Sequence, residues 1–192
     1  MNRNQIHLAL RHDGVTDRNG RPINSSVTQV DVHDFCRLTL TYGLAGFHCV
    51  TPLPAQHQIT QNIIGFWRSD VGKRYNPDRE QALTRLQLHQ SFDELETALT
   101  TDAGEKPLFL GTSARPQRKS FDFDQVYNTI SGSGRQVVIQ FGTAWGLSEA
   151  QLNRCDWVLP PINGYDGYNH LSVRCAAAIL LDRFLHSRID IR

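Results

Sequence analysis

Apolar residues along this 192-residue chain gather into short continuous runs, and between the runs they recur at helical spacing. The run Ile6–Leu10 predicts a strand, ended by the turn signal Arg11-His12-Asp13-Gly14. Arg18–Asn24, polar and containing Gly20 and Pro22, predicts an exposed loop. Behind Asp31, a credible N-cap, Phe35, Leu38 and Tyr42 lie three or four residues apart and predict a helix that Gly43 ends. Gly46–Val50 predicts a second strand, stopped by Pro52 and Pro54. Ile59, Ile63, Phe66 and Trp67 mark one face of a helix spanning Ala55 to Trp67.

Ser69–Tyr75 reads as a polar loop, and Asn76-Pro77 opens a short helix with its cap and first-turn proline in favoured places. Leu86–Leu88 is a third strand, and Ser91 with Glu94 has capping-box spacing for a helix reaching Thr100. Pro107–Leu110 is a fourth strand, released at Gly111-Thr112-Ser113, and Phe121–Ile130 is a helix. Two more apolar runs, Val137–Phe141 and Trp157–Leu159, empty into loops: Gly142–Gly146, and Pro160 through His170. A long helix follows, and its Cys175–Leu181 segment carries no polar group but a thiol, which predicts burial around most of its circumference. Strands alternating with helices, undivided by repeats or linkers, predict one α/β domain over residues 1–192. Its parallel sheet should have about six strands, with helices on both faces.

Composition narrows the function classes. Hydrophobic content of 40% and charged content of 20% are ordinary for a globular domain. A net charge of +1 supplies no global field for a polyanion, so any nucleic-acid footprint must be local. Cys36, Cys49, Cys155 and Cys175 sit in apolar surroundings without a CxxC pair, which favours reduced, buried thiols over disulfides or zinc. No signal peptide precedes Ile6, and no apolar run approaches the ~20 residues of a membrane span, so a soluble, cytoplasmic protein is expected.

Gly142–Gly146 is not a GxGxxG loop, and no Gly-Lys-Ser/Thr occurs, which disfavours a phosphate-rich cofactor. Glycines at strand ends instead suit a ligand touching main-chain groups, or simply tight turns. Pro160-Pro161 forms a stiff wall offering carbonyls. Asn169 and His170 precede the last helix, where Asn169 or Ser172 could cap its first amides. Asp31, His33, Asp34 and Arg37 form a second constellation, in which Arg37 can reach Asp34 as an ion pair on a solvated helix face. Arg68, Lys73, Arg74 and Arg79 surround Tyr75, while Arg115, Arg118 and Lys119 make a second basic loop. Basic loops with an aromatic residue suit RNA, although such clusters are commonly just solvated surface.

Phe141-Gly142-Thr143-Ala144-Trp145-Gly146-Leu147 and Tyr168-Asn169-His170-Leu171-Ser172-Val173-Arg174, with Ala176–Ile179 and Asp182-Arg183, resemble the C-terminal half of SPOUT-class RNA methyltransferases. Val27–Asp34 with Arg37 extends the likeness over nearly the whole chain. The nearest likeness is to a small bacterial group related to the tRNA guanine-N1 methyltransferases. The resemblance implies a C-terminal trefoil knot over residues 107–185, a homodimer, and S-adenosylmethionine as cofactor. It implies cofactor contacts from Gly111, Thr112 and Ser113, from Gly142, Thr143, Trp145 and Gly146, and from Pro161, Ile162, Asn169, His170 and Leu171. Catalysis falls to Arg37, Asp31 and His33, with Arg174 next, and RNA binding to Lys73, Arg74, Arg115, Arg118 and Lys119; no metal is implied. In the ribose-methylating branch an Asn stands where this chain has Asp31, so base nitrogen and ribose 2′-hydroxyl both remain acceptors. The rival readings are a non-catalytic RNA- or adenosine-binding module of the same fold, and a nucleotide-dependent hydrolase.

Overall fold

The computed structural model describes residues 2–117 and 120–185. Six parallel strands form the central sheet: β1 (Ile6–Arg11), β4 (Gly46–Val50), β5 (Leu86–His89), β6 (Leu108–Gly111), β7 (Val137–Gly142) and β8 (Trp157–Val158). Their spatial order is β5-β4-β1-β7-β6-β8. Strands buried on both faces read as unbroken apolar runs, which is why the sequence predicts them within a residue or two. The chain builds outward from β1 to β5, crosses the sheet to β6, and works back to β7. Consecutive building directions therefore reverse between β1 and β7, where Arg11 lies opposite Gly142. In open α/β sheets the carboxyl ends of the strands beside such a reversal form the ligand crevice.

Helices cover both faces. Helix α1 (Gln29–Thr41), α2 (Pro54–Arg68), α4 (Pro77–Leu83), α6 (Phe123–Ser131) and α8 (Val173–Leu185) close over the larger core of Leu8, Leu10, Phe35, Phe47, Ile139 and Phe141. On the opposite face Phe92, Leu95 and Leu99 of α5 (Phe92–Ala103) pack on Ala9, Val50, Phe109 and Val138. The short α7 (Glu149–Asn153) follows the β7 loop, and its Leu152 joins Val15, Leu147 and Val158 in a third cluster.

Several expectations change. Arg18–Asn24 is exposed but carries half of a small hairpin, β2 (Val15–Thr16) with β3 (Pro22–Ile23). Ser69–Tyr75 is not a loop: Ser69 caps α3 (Asp70–Tyr75) by accepting from the Gly72 amide. The cap of α1 is Thr28, not Asp31, which falls in the first turn. At α8 the Cys175 amide reaches Ser172 Oγ at 3.4 Å, while Asn169 is engaged elsewhere. Cys36, Cys49 and Cys155 are buried outside any disulfide, with Cys36 raised by burial and Cys49 pushed up to about 12; Cys175 is exposed. Helix α8 is therefore buried along one stripe (Ala177, Leu180, Leu181, Phe184 and Leu185) and not around its circumference. Among the described residues no helix is long and apolar enough to cross a membrane, and no group of His, Cys, Asp or Glu could hold a metal ion.

Candidate functional site

Three loops leave the carboxyl ends of the adjacent strands β7, β6 and β8. The β7 loop is clamped by the β2 hairpin: Trp145 N–H donates to Thr16 C=O, Thr16 N–H to Gly146 C=O, and Ser148 N–H to Gly14 C=O. Ala144 and Gly146 adopt positive φ, 52° and 94°. A Cβ on Gly142 would collide with the Leu147 amide and Gly146 carbonyl carbon, so this glycine lets the loop close on itself. The hydroxyls expected at a ligand are committed to the frame. Thr112 donates to Gln140 C=O at 2.8 Å, and Thr143 to Arg11 C=O at 3.0 Å. Ser113 Oγ accepts from the Arg115 amide and from Gln117.

The β8 loop differs. Between Pro160 and Ser172, among the described residues, only the Tyr168 amide makes a backbone hydrogen bond, to Tyr165 C=O. Around Ile162 and from Asn169 to Leu171 the amides and carbonyls make no backbone–backbone hydrogen bond among the described residues. Ile162 is half-buried against the main core. Asn169 Nδ2 donates to Ala114 C=O at 2.8 Å, tying this loop to the one after β6. Trp145, Tyr168 and Leu171 are exposed at the rim, with His170 exposed beside Tyr168.

Beside the loops α1 meets α8. Asp31 is buried; its Oδ1 accepts from Arg174 Nη1 at 2.8 Å and its Oδ2 from the Thr28 hydroxyl at 2.5 Å. Asp34 holds the same guanidinium, with Nε–Oδ2 at 3.1 Å. The hydrogen bond to Asp31 raises the Arg174 pKa further. The expected Asp34–Arg37 pair is thus replaced by Asp34–Arg174. Arg37 is exposed on α1 and makes no ion pair or hydrogen bond with a described residue. His33 is not gathered with Asp31. It faces the other way, edge-on to Trp67 of α2 with ring centroids 5.8 Å apart.

Sequence reasoning missed the polar knot at the β1/β7 reversal. Arg11, fully buried, donates to Asp13 (2.5 and 3.0 Å) and to Gln140 Oε1 (2.7 Å), with its guanidinium 4.4 Å from the Phe92 ring centroid. His12 is buried, hydrogen-bonds Ser25 at 3.0 Å, and has its pKa pushed down to about 4, chiefly by burial against the opposing pull of Asp31 and Asp13. Ser25 in turn bonds Thr143. The only sequence signal was a charged and a polar residue ending an apolar strand. Lys73 and Arg74 are exposed on α3, and Arg115 is exposed after β6; Arg118 and Lys119 lie outside the described residues.

A family described as SAM-dependent RNA methyltransferase matches residues 5–186. The chain belongs to that family. An uncharacterized protein of Aquifex aeolicus (strain VF5) is 34% identical over 186 residues, 96% of this chain and 91% of its own length. A tRNA (guanine-N(1)-)-methyltransferase of Oleidesulfovibrio alaskensis is 36% identical over 180 residues, 94% of this chain but 42% of that protein. The chain thus spans less than half of that relative. The SpoU methyltransferase AviRb from Streptomyces viridochromogenes, in complex with AdoMet, shares the fold at a TM-score of 0.58 and 16% identity, covering 100% of this chain and 61% of that one. The methyl donor of this family is S-adenosylmethionine, and the β8 loop fits it. Main-chain groups without a backbone partner among the described residues, beside a half-buried Ile162, suit an adenine recognised by its edge and packed on its face.

Proposed function

We propose that this family member methylates tRNA, at a proton-bearing acceptor such as guanine N1 or a ribose 2′-hydroxyl, as a homodimer with its cofactor seated across the β6, β7 and β8 loops. The observation that carries the reading is that the β8 loop, tied to the β6 loop through Asn169, runs straight into α8, whose Arg174 pairs with the buried Asp31 of α1. The relative named for guanine N1 extends well beyond the matched stretch, so its named activity can reside in either part.

The sulfonium of S-adenosylmethionine supplies the methyl group and leaves as a neutral thioether, so the protein must align the acceptor and deal with its proton. Asp31 accepts two hydrogen bonds already, which suits it to orient Arg174. Arg174, neutralised by two carboxylates, is a positioned donor and not a free charge. Arg37, unlike Arg174, makes no ion pair among the described residues, and it serves developing negative charge on the acceptor. The exposed side of α8, with Cys175, and the exposed Val30 of α1 supply the face on which a second copy sits, bringing its Arg37 to the site. A trefoil knot belongs to the same proposal. Its support is that α8, reached from the edge strand β8, packs back on β7, α1 and α6. A tRNA substrate places this work in the cytoplasm.

Nucleoside mass spectrometry of tRNA from a deletion strain, before and after incubation with the protein and S-adenosylmethionine, tests the substrate. A single methylated nucleoside should appear only with both present. Unchanged tRNA, with a methyl group gained by rRNA under the same conditions, would move the substrate.

A further inference from the structure

We propose that the crevice between α1 and α4 seats one phosphodiester of single-stranded RNA on Arg79 and His33, with a neighbouring base stacked on Tyr75. This rests on the RNA-methyltransferase reading and adds where the substrate backbone is gripped. Trp67 of α2 forms the wall. The Arg79 guanidinium lies over its ring at 4.3 Å, His33 meets it edge-on, and the Tyr75 ring is 6.2 Å away. The backbone at Arg79 is fixed because Asn76 caps α4 by accepting from the Arg79 amide at 3.0 Å.

Two polar atoms in this cluster are buried without a partner: Arg79 Nε and His33 Nε2. A buried polar atom left unsatisfied is destabilising, so two such atoms against one Trp67 ring mark an unfinished site. An anion completes both atoms, accepting from Arg79 Nε–H and from His33 in its Nε2–H tautomer. The positive charges of Arg79 and Arg37 both act on His33, and Asp34, the carboxylate beside it, is occupied by Arg174. Neither Arg79 nor Arg37 forms an ion pair among the described residues. Around the crevice apolar and basic side chains mix with the acidic Asp70 of α3 and Asp78 and Glu80 of α4. Tyr75 is 80% exposed, Phe66 and Val71 are exposed beside it, and Lys73 and Arg74 flank it on α3. An aromatic platform beside a guanidinium is how single strands are held, the base on the ring and the phosphate on the cation. His33 and Arg37 lie on α1 with Asp31, so a backbone seated here rests on the same helix that carries the Asp31–Arg174 pair.

The test is a titration of unmodified tRNA into the full chain at several KCl concentrations, for wild type, Arg79→Gln and Tyr75→Ala, with S-adenosylmethionine affinity measured in parallel. Arg79→Gln should lower the slope of log affinity against log salt by about 0.7–0.9, the value of one phosphate contact. Tyr75→Ala should keep the slope and weaken binding about 5-fold or more. Neither should change cofactor affinity. Tyr75 is exposed, so its variant folds whatever becomes of Arg79→Gln. Wild-type slope and affinity in both variants would overturn the seat while leaving RNA binding intact. No tRNA binding by wild type would overturn the RNA reading and the seat together. A dimer that dissociates in Arg79→Gln with an unchanged salt slope would assign the crevice to a second copy of the chain.

Discussion

Asp31 holds Arg174 and Thr28 at once, and that double engagement separates two roles the residue type alone leaves open. A carboxylate that orients a guanidinium and one that removes a proton respond differently to pH. If Asp31 orients Arg174, Asp31→Asn should slow single-turnover methyl transfer roughly 100-fold at every pH, with cofactor affinity unchanged. If it accepts the proton, the defect should shrink as pH rises and the acceptor ionises unaided. Arg37 poses the complementary question. As a solvated side chain its loss would cost at most ~0.5 kcal/mol and leave turnover intact. As the charge-stabilising group, Arg37→Ala should lower single-turnover rates by roughly 100-fold or more, and a wild-type rate would shift the role to Arg174. Residue types were legible in the sequence; pairings were not. Arg37 is three residues from Asp34 along the helix, yet Asp34 chooses Arg174, which is remote in sequence and brought near only by the packing of α8 on α1.

Elements were legible in proportion to their length and burial. Parallel strands such as β1 and β4, buried at every position, announce themselves as apolar runs. Helix α3 did not, because six residues around Gly72 carry no stripe; that glycine is needed where a Cβ would strike the Trp67 and Phe66 backbone. The five-residue α7 escaped notice for the same reason. The Cys175–Leu181 segment of α8 reads as apolar but for a thiol, yet the fully buried residues of the helix form only one stripe. The uncovered side carries the dimer prediction. Sedimentation at micromolar concentration should show a dimer, and Cys175→Glu, placing a charge on the exposed side, should shift it toward monomer without lowering the melting temperature. A monomeric wild type that still transfers methyl groups would remove the cross-subunit role of Arg37.

Across the whole molecule, the sheet face beneath α5 carries a polar layer that no single segment reveals, because it depends on strand register. His7, His48 and His89, one from each of three adjacent strands, bond in sequence at 2.9 and 3.0 Å, and Arg11 with Gln140 continues the layer beyond the central strand. Burial lowers the pKa of all three histidines, and pushes His7, like His12, down to about 4. The unfolded chain then binds more protons than the folded one between about pH 6.5 and 4, so stability is complete above that window and is lost as pH falls through it. His7 and His12 alone should each withdraw about 2 kcal/mol between pH 7 and 5, read as a lower urea midpoint at pH 5; equal midpoints would contradict their burial as neutral rings. At the carboxyl ends of β6 and β8 the Asn169–Ala114 hydrogen bond joins the two loops between which S-adenosylmethionine is proposed to sit. Calorimetric titration of S-adenosylmethionine into wild type and Asn169→Ala tests it directly. Wild type should bind, and Asn169→Ala should bind about 10-fold more weakly, a loss of about 1.4 kcal/mol, with its melting temperature unchanged. No binding by wild type, or equal binding by the two proteins, would contradict the three-loop site.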